Sequence, residues 1–114
     1  MAGVKKKKNV LKKQSLGEKV IQKEILTLLT IKQIPHARIN SGMIYTGKYM
    51  VRLAPEGFPD IIFFHKGLHG VEVKREGEEP TPPQLAWKKI FLQNGAGWMC
   101  ATSVDQVNTY LNSL

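Results

Sequence analysis

The sequence predicts one α/β domain, a mixed β-sheet flanked by helices, with elements in the order α-β-β-β-β-α-β-α. Three observations predict it. An apolar stripe at helical spacing opens the folded part of the chain. Two strongly β-prone runs, 60–65 and 69–74, follow each other across a short glycine-containing turn. One helix-length segment then separates the second run from an apolar strand at 97–102. A strand–helix–strand unit of this kind joins parallel strands through a right-handed crossover. Covering both faces of such a sheet with helices is the natural packing.

The first helix begins with Ser15 as its cap. Glu18 lies three residues later, at capping-box spacing. The helix runs to about Lys32, and Leu16, Val20, Ile21, Ile25, Leu28 and Leu29 form its buried stripe. Pro35 stops it. Residues 36–40 read as a short strand and 49–53 as a second one, hairpin-paired with the first, with turns at Ser41, Gly42 and Gly47. Residues 55–59 form a loop, and the strands 60–65 and 69–74 turn at Lys66-Gly67-Leu68. A polar, proline-rich loop covers 77–83. Thr81 caps the second helix, whose early positions are Pro82 and Pro83. That helix runs to about Gln93 and ends at Asn94-Gly95. After the last strand, Ser103 caps a closing helix that reaches about Asn112.

At 114 residues the chain can bury a core in one domain without disulfides. Cys100 is the one cysteine, which excludes an internal disulfide. Set in Trp98-Met99-Cys100-Ala101, it reads as a small buried residue rather than a reactive thiol. That usage suits a reducing, cytoplasmic compartment. No apolar run is long enough to cross a membrane. The basic N-terminus lacks the apolar stretch of a signal peptide.

The formal net charge is +8, and its distribution is uneven. Lys5, Lys6, Lys7, Lys8, Lys12 and Lys13 have no acid among them, so the rest of the chain is nearly balanced. Residues 1–14 therefore read as a flexible Lys-rich tail and 15–114 as a single domain. The tail is either an arm that engages phosphates by counterion release or a solubilising extension.

The chemical signal is Pro59-Asp60, eleven intervening residues, then Glu72-Val73-Lys74. Phosphodiester hydrolysis uses a metal to generate hydroxide and to offset charge on phosphorus. Magnesium takes hard oxygen ligands and keeps several waters, so two carboxylates suffice. A lysine beside them supplies a point charge for the attacking water or a phosphate oxygen. Glu72 and Lys74 are two apart and share one strand face. Asp60 joins that face only if the antiparallel register has the right parity. A three-residue loop at 66–68, with Asp60 opposite Lys74, would satisfy it, as would a bulge. A two-residue turn at Lys66-Gly67 would put Asp60 on the wrong face.

Gly57-Phe58-Pro59-Asp60, Glu72-Val73-Lys74 and Gln84 together resemble the PD-(D/E)XK nuclease superfamily. Within it, the ordered set is similar to the virus-type replication-repair nuclease (VRR-NUC) domain. Glu18 on the first helix and Arg38-Ile39-Asn40-Ser41-Gly42 fit that pattern as well. The resemblance spans roughly 15–101; Phe58 stands where the family often has Val. It implies a restriction-endonuclease-like fold, a divalent-metal site using Mg2+ (with Mn2+ as a substitute), and DNA as substrate. Without the extra domains of large eukaryotic members, the chain resembles the small stand-alone phage and bacterial versions. Those are associated with homodimers acting on branched, Holliday-junction-like DNA.

The resemblance further implies that Asp60, Glu72, the Val73 carbonyl and Glu18 serve as metal ligands, Glu18 directly or through water. Glu24 is the alternative acid on the first helix. Lys74 would position or deprotonate the attacking water, and Gln84 would orient the site or touch phosphate. Arg38, Asn40, Ser41, Lys48, Arg52 and the tail lysines 5–8 are candidate DNA contacts. Residues 43–46 read as a loop inserting into DNA or as part of a subunit interface. Trp87, Phe91 and Trp98 have core-aromatic spacing. His65 and His69 are four apart, but Gly67 and Gly70 argue against a helical zinc pair. Two other readings stay open: a nuclease for flaps, nicks or specific duplex sites, and a non-catalytic basic DNA-binding module.

Overall fold

The computed structural model describes residues 2–39 and 42–114, with side chains described from residue 17 onward. The elements are α1 (Ala2–Ile31), β1 (His36–Arg38), β2 (Met43–Tyr45), β3 (Met50–Arg52), β4 (Ile61–Phe64), β5 (Leu68–Val73), α2 (Pro82–Gln93), β6 (Gly97–Ala101) and α3 (Val104–Ser113). The fold class is the expected one: a four-stranded mixed sheet, order β1-β4-β5-β6, with helices against it. β5 and β6 are parallel, as the crossover through α2 requires.

Three expectations are corrected. Helix α1 begins at Ala2, well before the Ser15 cap. Residues 43–45, expected as a loop, form a strand. The hairpin expected between 36–40 and 49–53 does not form. β1 pairs antiparallel with β4, and β3 pairs with β2 in a separate two-stranded sheet. Three-residue strands carry too little pattern to choose a partner locally. The choice of β4 for β1 comes from the ends of the ladder, where Phe64 N–H donates to Pro35 O and Ile39 N–H donates to Asp60 O.

One sheet face carries the main core. Ile61, Phe63, Val71 and Val73 alternate inward along β4 and β5, and are 0–1% exposed against Ile25 and Leu29 of α1 and Val107 of α3. Burying each large side chain stabilises the fold by ~1.5–3 kcal/mol. Val20, expected in that stripe, is exposed instead. Helix α1 ends where Gln33 takes a left-handed conformation (φ 58°) and Ile34 N–H reaches back to Leu29 O. His69 lies in this face, stacked on Phe63. Its Nε2–H donates to His65 O and its Nδ1 pairs with the Tyr110 hydroxyl at 2.7 Å. The ring is thus a satisfied core histidine.

The opposite face is smaller and aromatic. Phe58, Trp87 and Phe91 pack edge to face, and Gly70 leaves room for Pro59 and Phe91. Phe91 is buried, as its spacing predicts, whereas Trp87 and Trp98 are only half-buried. Helix α2 has the expected limits: Thr81 precedes it, prolines fill its first two positions, and Asn94 closes it. Ser103 caps α3 by accepting from Gln106 N–H. Among the described residues no helix is long and apolar enough to cross a membrane.

Candidate active site

Asp60 is placed by the three residues before it. Gly57 has φ 83°, and a side chain there would strike the Pro83 backbone, so only glycine lets this loop close on the start of α2. Phe58 fills the Trp87–Phe91 cluster, with its centroid 4.9 Å from that of Trp87. Trp87 Nε1–H donates to Glu56 O and holds the loop from the other side. Pro59 is fully buried and packs over Gly70. The chain therefore enters β4 at a fixed point.

The register of β4 on β5 meets the parity condition in a different way from the example above. Phe64 pairs with Leu68 and Ile61 with Val71, around a three-residue loop of His65, Lys66 and Gly67. Continued by one residue, this register sets Asp60 opposite Glu72 rather than Lys74. All three side chains still share the face away from Ile61 and Val71. Asp60 O accepts from Ile39 N–H on the β1 side. Asp60 and Glu72 are thus a pair that exchanges no backbone hydrogen bonds, the closer of the two antiparallel spacings.

The side chains are correspondingly close. Asp60 Oδ2 accepts from Val73 N–H at 2.8 Å. The N–H and carbonyl of such a residue point to the same neighbouring strand, so the Val73 carbonyl opens toward Asp60. Glu72 is only 2% exposed, and its Oε1 has no hydrogen-bond partner. Burial, then a hydrogen bond and charge repulsion from Asp60, push the Glu72 carboxyl up to about 10. Lys74 opposes that rise. Burial also raises the Cys100 thiol, consistent with an unreactive cysteine.

Of the two candidate acids on α1, Glu18 lies by the site. Lys74, Asp60 and Glu72 all act on it electrostatically. Burial raises its pKa first, followed by a hydrogen bond with Glu78. Glu24 lies with Val20, Thr27 and Val104 on another side of α1. Glu78 is a site residue the sequence did not reveal. It sits in a turn closed by its own N–H to Arg75 O, and its Oε1 accepts from Arg75 N–H at 2.7 Å. That bond is the main reason its pKa is lowered. No motif marks a glutamate in such a loop.

Among the described residues, no three His, Cys, Asp or Glu side chains are gathered so as to hold a metal by themselves. Glu18 lies beside Glu78 at the edge of the site. What the site offers is two facing carboxylates, a buried carboxylate oxygen without a partner, and a nearby main-chain carbonyl. That donor set fits magnesium, which completes its shell with water.

The fold is similar to that of a solved VRR_NUC domain, at a TM-score of 0.62 and 23% sequence identity, covering 84% of this chain and 95% of that one. The chain has the VRR-NUC fold. No family model and no curated protein matches the sequence.

The remaining expected site residues take various places on the VRR-NUC fold. Gln84 Oε1 accepts from Thr81 N–H at 2.8 Å, so its side chain serves as a helix cap. Arg38, at the end of β1, is exposed and its Nε donates to Gln22 Oε1. Lys48 and Arg52 lie on the β2–β3 ribbon, apart from the carboxylates, and Lys48 Nζ sits over the Tyr49 ring. Asn40, Ser41 and the side chains of Lys5, Lys6, Lys7 and Lys8 lie outside the described residues.

Proposed function

We propose that this chain is a divalent-metal-dependent, structure-selective DNA endonuclease that hydrolyses phosphodiester bonds in branched, Holliday-junction-like DNA. One observation carries the reading: the partnerless Glu72 Oε1, buried opposite Asp60 and beside Lys74. A buried carboxylate without a partner is costly unless a cation completes it. Asp60, Glu72 and the Val73 carbonyl would hold magnesium, or manganese in its place, and Glu18 would act through water. When bound, the ion supplies a hydroxide at neutral pH and relieves charge on the phosphate. Lys74 positions the attacking water or a phosphate oxygen. The Lys-rich segment ahead of the domain adds non-specific phosphate binding.

A homodimer fits the same reading. Every residue of strands β2 and β3 is exposed, and the ribbon is apolar, with Met43, Ile44, Tyr45, Met50 and Val51 on it. Such a patch favours a self-complementary two-fold contact. Two matched sites would suit the two equivalent strands of a junction. Cleavage of labelled junctions, flaps, nicked and intact duplexes in magnesium, by wild type and Asp60→Ala, tests the proposal. Junction cutting lost in the variant is expected. Equal processing by both proteins removes the nuclease reading. Preference for flaps or nicks reassigns the substrate. A monomer by light scattering at micromolar concentration removes the dimer.

A further inference from the structure

Helix α1 presents Lys19, Gln22, Lys23 and Leu26 on one face, at spacings of three, four and seven residues. This face is not the core stripe of Ile25 and Leu29. Together with Arg38 of β1 it encloses a groove of about 350 Å³. Leu26 forms an apolar floor. Lys19, Lys23 and Arg38 are exposed, and among the described residues none has an acidic partner; the one ion pair is Arg75–Glu78. Gln22 Oε1 accepts from Arg38 Nε at 3.3 Å. That bond holds the Arg38 side chain against α1 at the edge of the groove.

The location gives these cations meaning. Arg38 pairs with Ile61, the neighbour of Asp60, and Ile39 N–H bonds Asp60 O. The groove therefore opens at the same end of the sheet as Asp60, Glu72 and Lys74, one strand away. Neither nearby acid of α1 lines the groove: Glu18 lies by Asp60, Lys74 and Glu78, and Glu24 lies beside Val20, Lys23 and Val104 without an ion pair among the described residues. Outside the six tail lysines the chain is close to charge balance, so three unpaired cations around one groove are a local concentration and not a general property of the surface.

We infer that the α1–β1 groove is a phosphate-binding track for the nucleic-acid strand being cut, with Lys19, Lys23 and Arg38 as its phosphate ligands and Gln22 as the residue that positions Arg38. The inference rests on the nuclease reading and adds to it where the strand lies. Lysine supplies point charges and arginine a planar fork, both suited to phosphate oxygens. The groove reads no bases, so its contribution is independent of sequence.

The test compares the full chain with two double variants that remove equal charge: Lys19→Gln with Lys23→Gln in the groove, and Lys32→Gln with Lys89→Gln away from it. All four lysines are exposed, so the fold is kept. Binding to a fluorescent four-way junction is measured against potassium chloride concentration without divalent cation, so that no cutting intervenes. Each lost phosphate contact lowers the slope of log affinity against log salt by about 0.9. The groove variant is expected to lose about two units of slope and to bind roughly tenfold more weakly, with the control unchanged. In magnesium its KM rises while kcat stays at the wild-type value.

Equal slopes for the groove variant and wild type, or equal losses in both variants, overturn the inference. If wild type nevertheless cuts DNA, the nuclease reading survives that failure. If the slope shift appears but wild type cuts no DNA in magnesium, the groove stands as a phosphate site and the nuclease reading falls. Absence of any DNA binding by wild type overturns both.

Discussion

The β4–β5 hairpin and the β2–β3 ribbon are both antiparallel pairs rich in aliphatic and aromatic residues, but the molecule uses them in opposite ways. In β4–β5, Ile61, Phe63 and Val71 are completely buried beneath α1 and α3, and α2 packs on the reverse side at β5, while Phe64 of β4 stays exposed there. In the ribbon, Ile44, Val51 and Tyr45 are 41–66% exposed, and no strand residue is covered. A hairpin anchored by one closed core face can fix carboxylates against each other. A ribbon with neither face packed cannot, and its apolar side chains are left for another surface to cover.

The largest expected effect falls on the packed hairpin. Asp60→Asn and Glu72→Gln should each lower cleavage by roughly 10³-fold, the several kcal/mol that a metal-stabilised transition state represents. Glu72→Gln should also raise the melting temperature of the cation-free protein, because it removes a buried group that resists ionisation. Single-turnover cleavage and thermal melts on the same samples would check both. A Glu72→Gln protein that melts lower and cuts normally would make Glu72 a structural residue.

Next in size is the contrast in packing. Ile61→Ala should cost ~2–5 kcal/mol, as truncations in a closed core do. Ile44→Ala, at a largely exposed position, should stay within about 0.5 kcal/mol in the monomer. Chemical denaturation at several protein concentrations sharpens the comparison. A large, concentration-dependent loss for Ile44→Ala would show that the ribbon is covered by a second copy. Gly57→Ala should come third, at ~1–3 kcal/mol, because it strains a left-handed position and meets the Pro83 backbone. Its cleavage rate should fall further than its stability alone explains, since this loop aims Asp60.

The remaining contrast is with pH, and it also falls on the packed hairpin. Burial and Asp60 raise the Glu72 carboxyl from an ordinary 4.5 to about 10. The folded chain therefore keeps a proton that the unfolded chain releases near 4.5. This contribution is complete below that pH and is lost as pH rises toward 10. Cation-free protein should melt lower at about pH 9 than at about pH 5. Magnesium should narrow the gap, since it takes the proton's place on the carboxylate. A melting temperature that rises with pH without cation would contradict a protonated Glu72.

What the sequence revealed follows the range of the interactions involved. Helix α2 was legible to the residue because Thr81, Pro82, Pro83 and the Asn94-Gly95 stop are all local signals. The shared face of Glu72 and Lys74 follows from the two-residue period of a strand, and the parity condition reduced Asp60 to one question about a turn. Strand β2 and the pairing of β1 with β4 were not legible, because three-residue strands take their partners from distant segments. Gln84 was read as a site residue, and its spacing from Thr81 is equally that of a capping box, which is what the fold uses. The choice of Glu18 over Glu24 depends on where α1 crosses the sheet, and helical spacing alone does not contain that.

In the site, Asp60 Oδ2 takes the Val73 N–H that a backbone carbonyl would otherwise accept. A carbonyl cannot change its charge or turn away, whereas a carboxylate can do both. The Val73 amide is consequently a spectroscopic gauge built into the strand. Its proton resonance and its exchange with deuterium report how Asp60 divides its oxygens between the backbone and whatever else approaches, and they do so without a label, a substrate or a cleavage event.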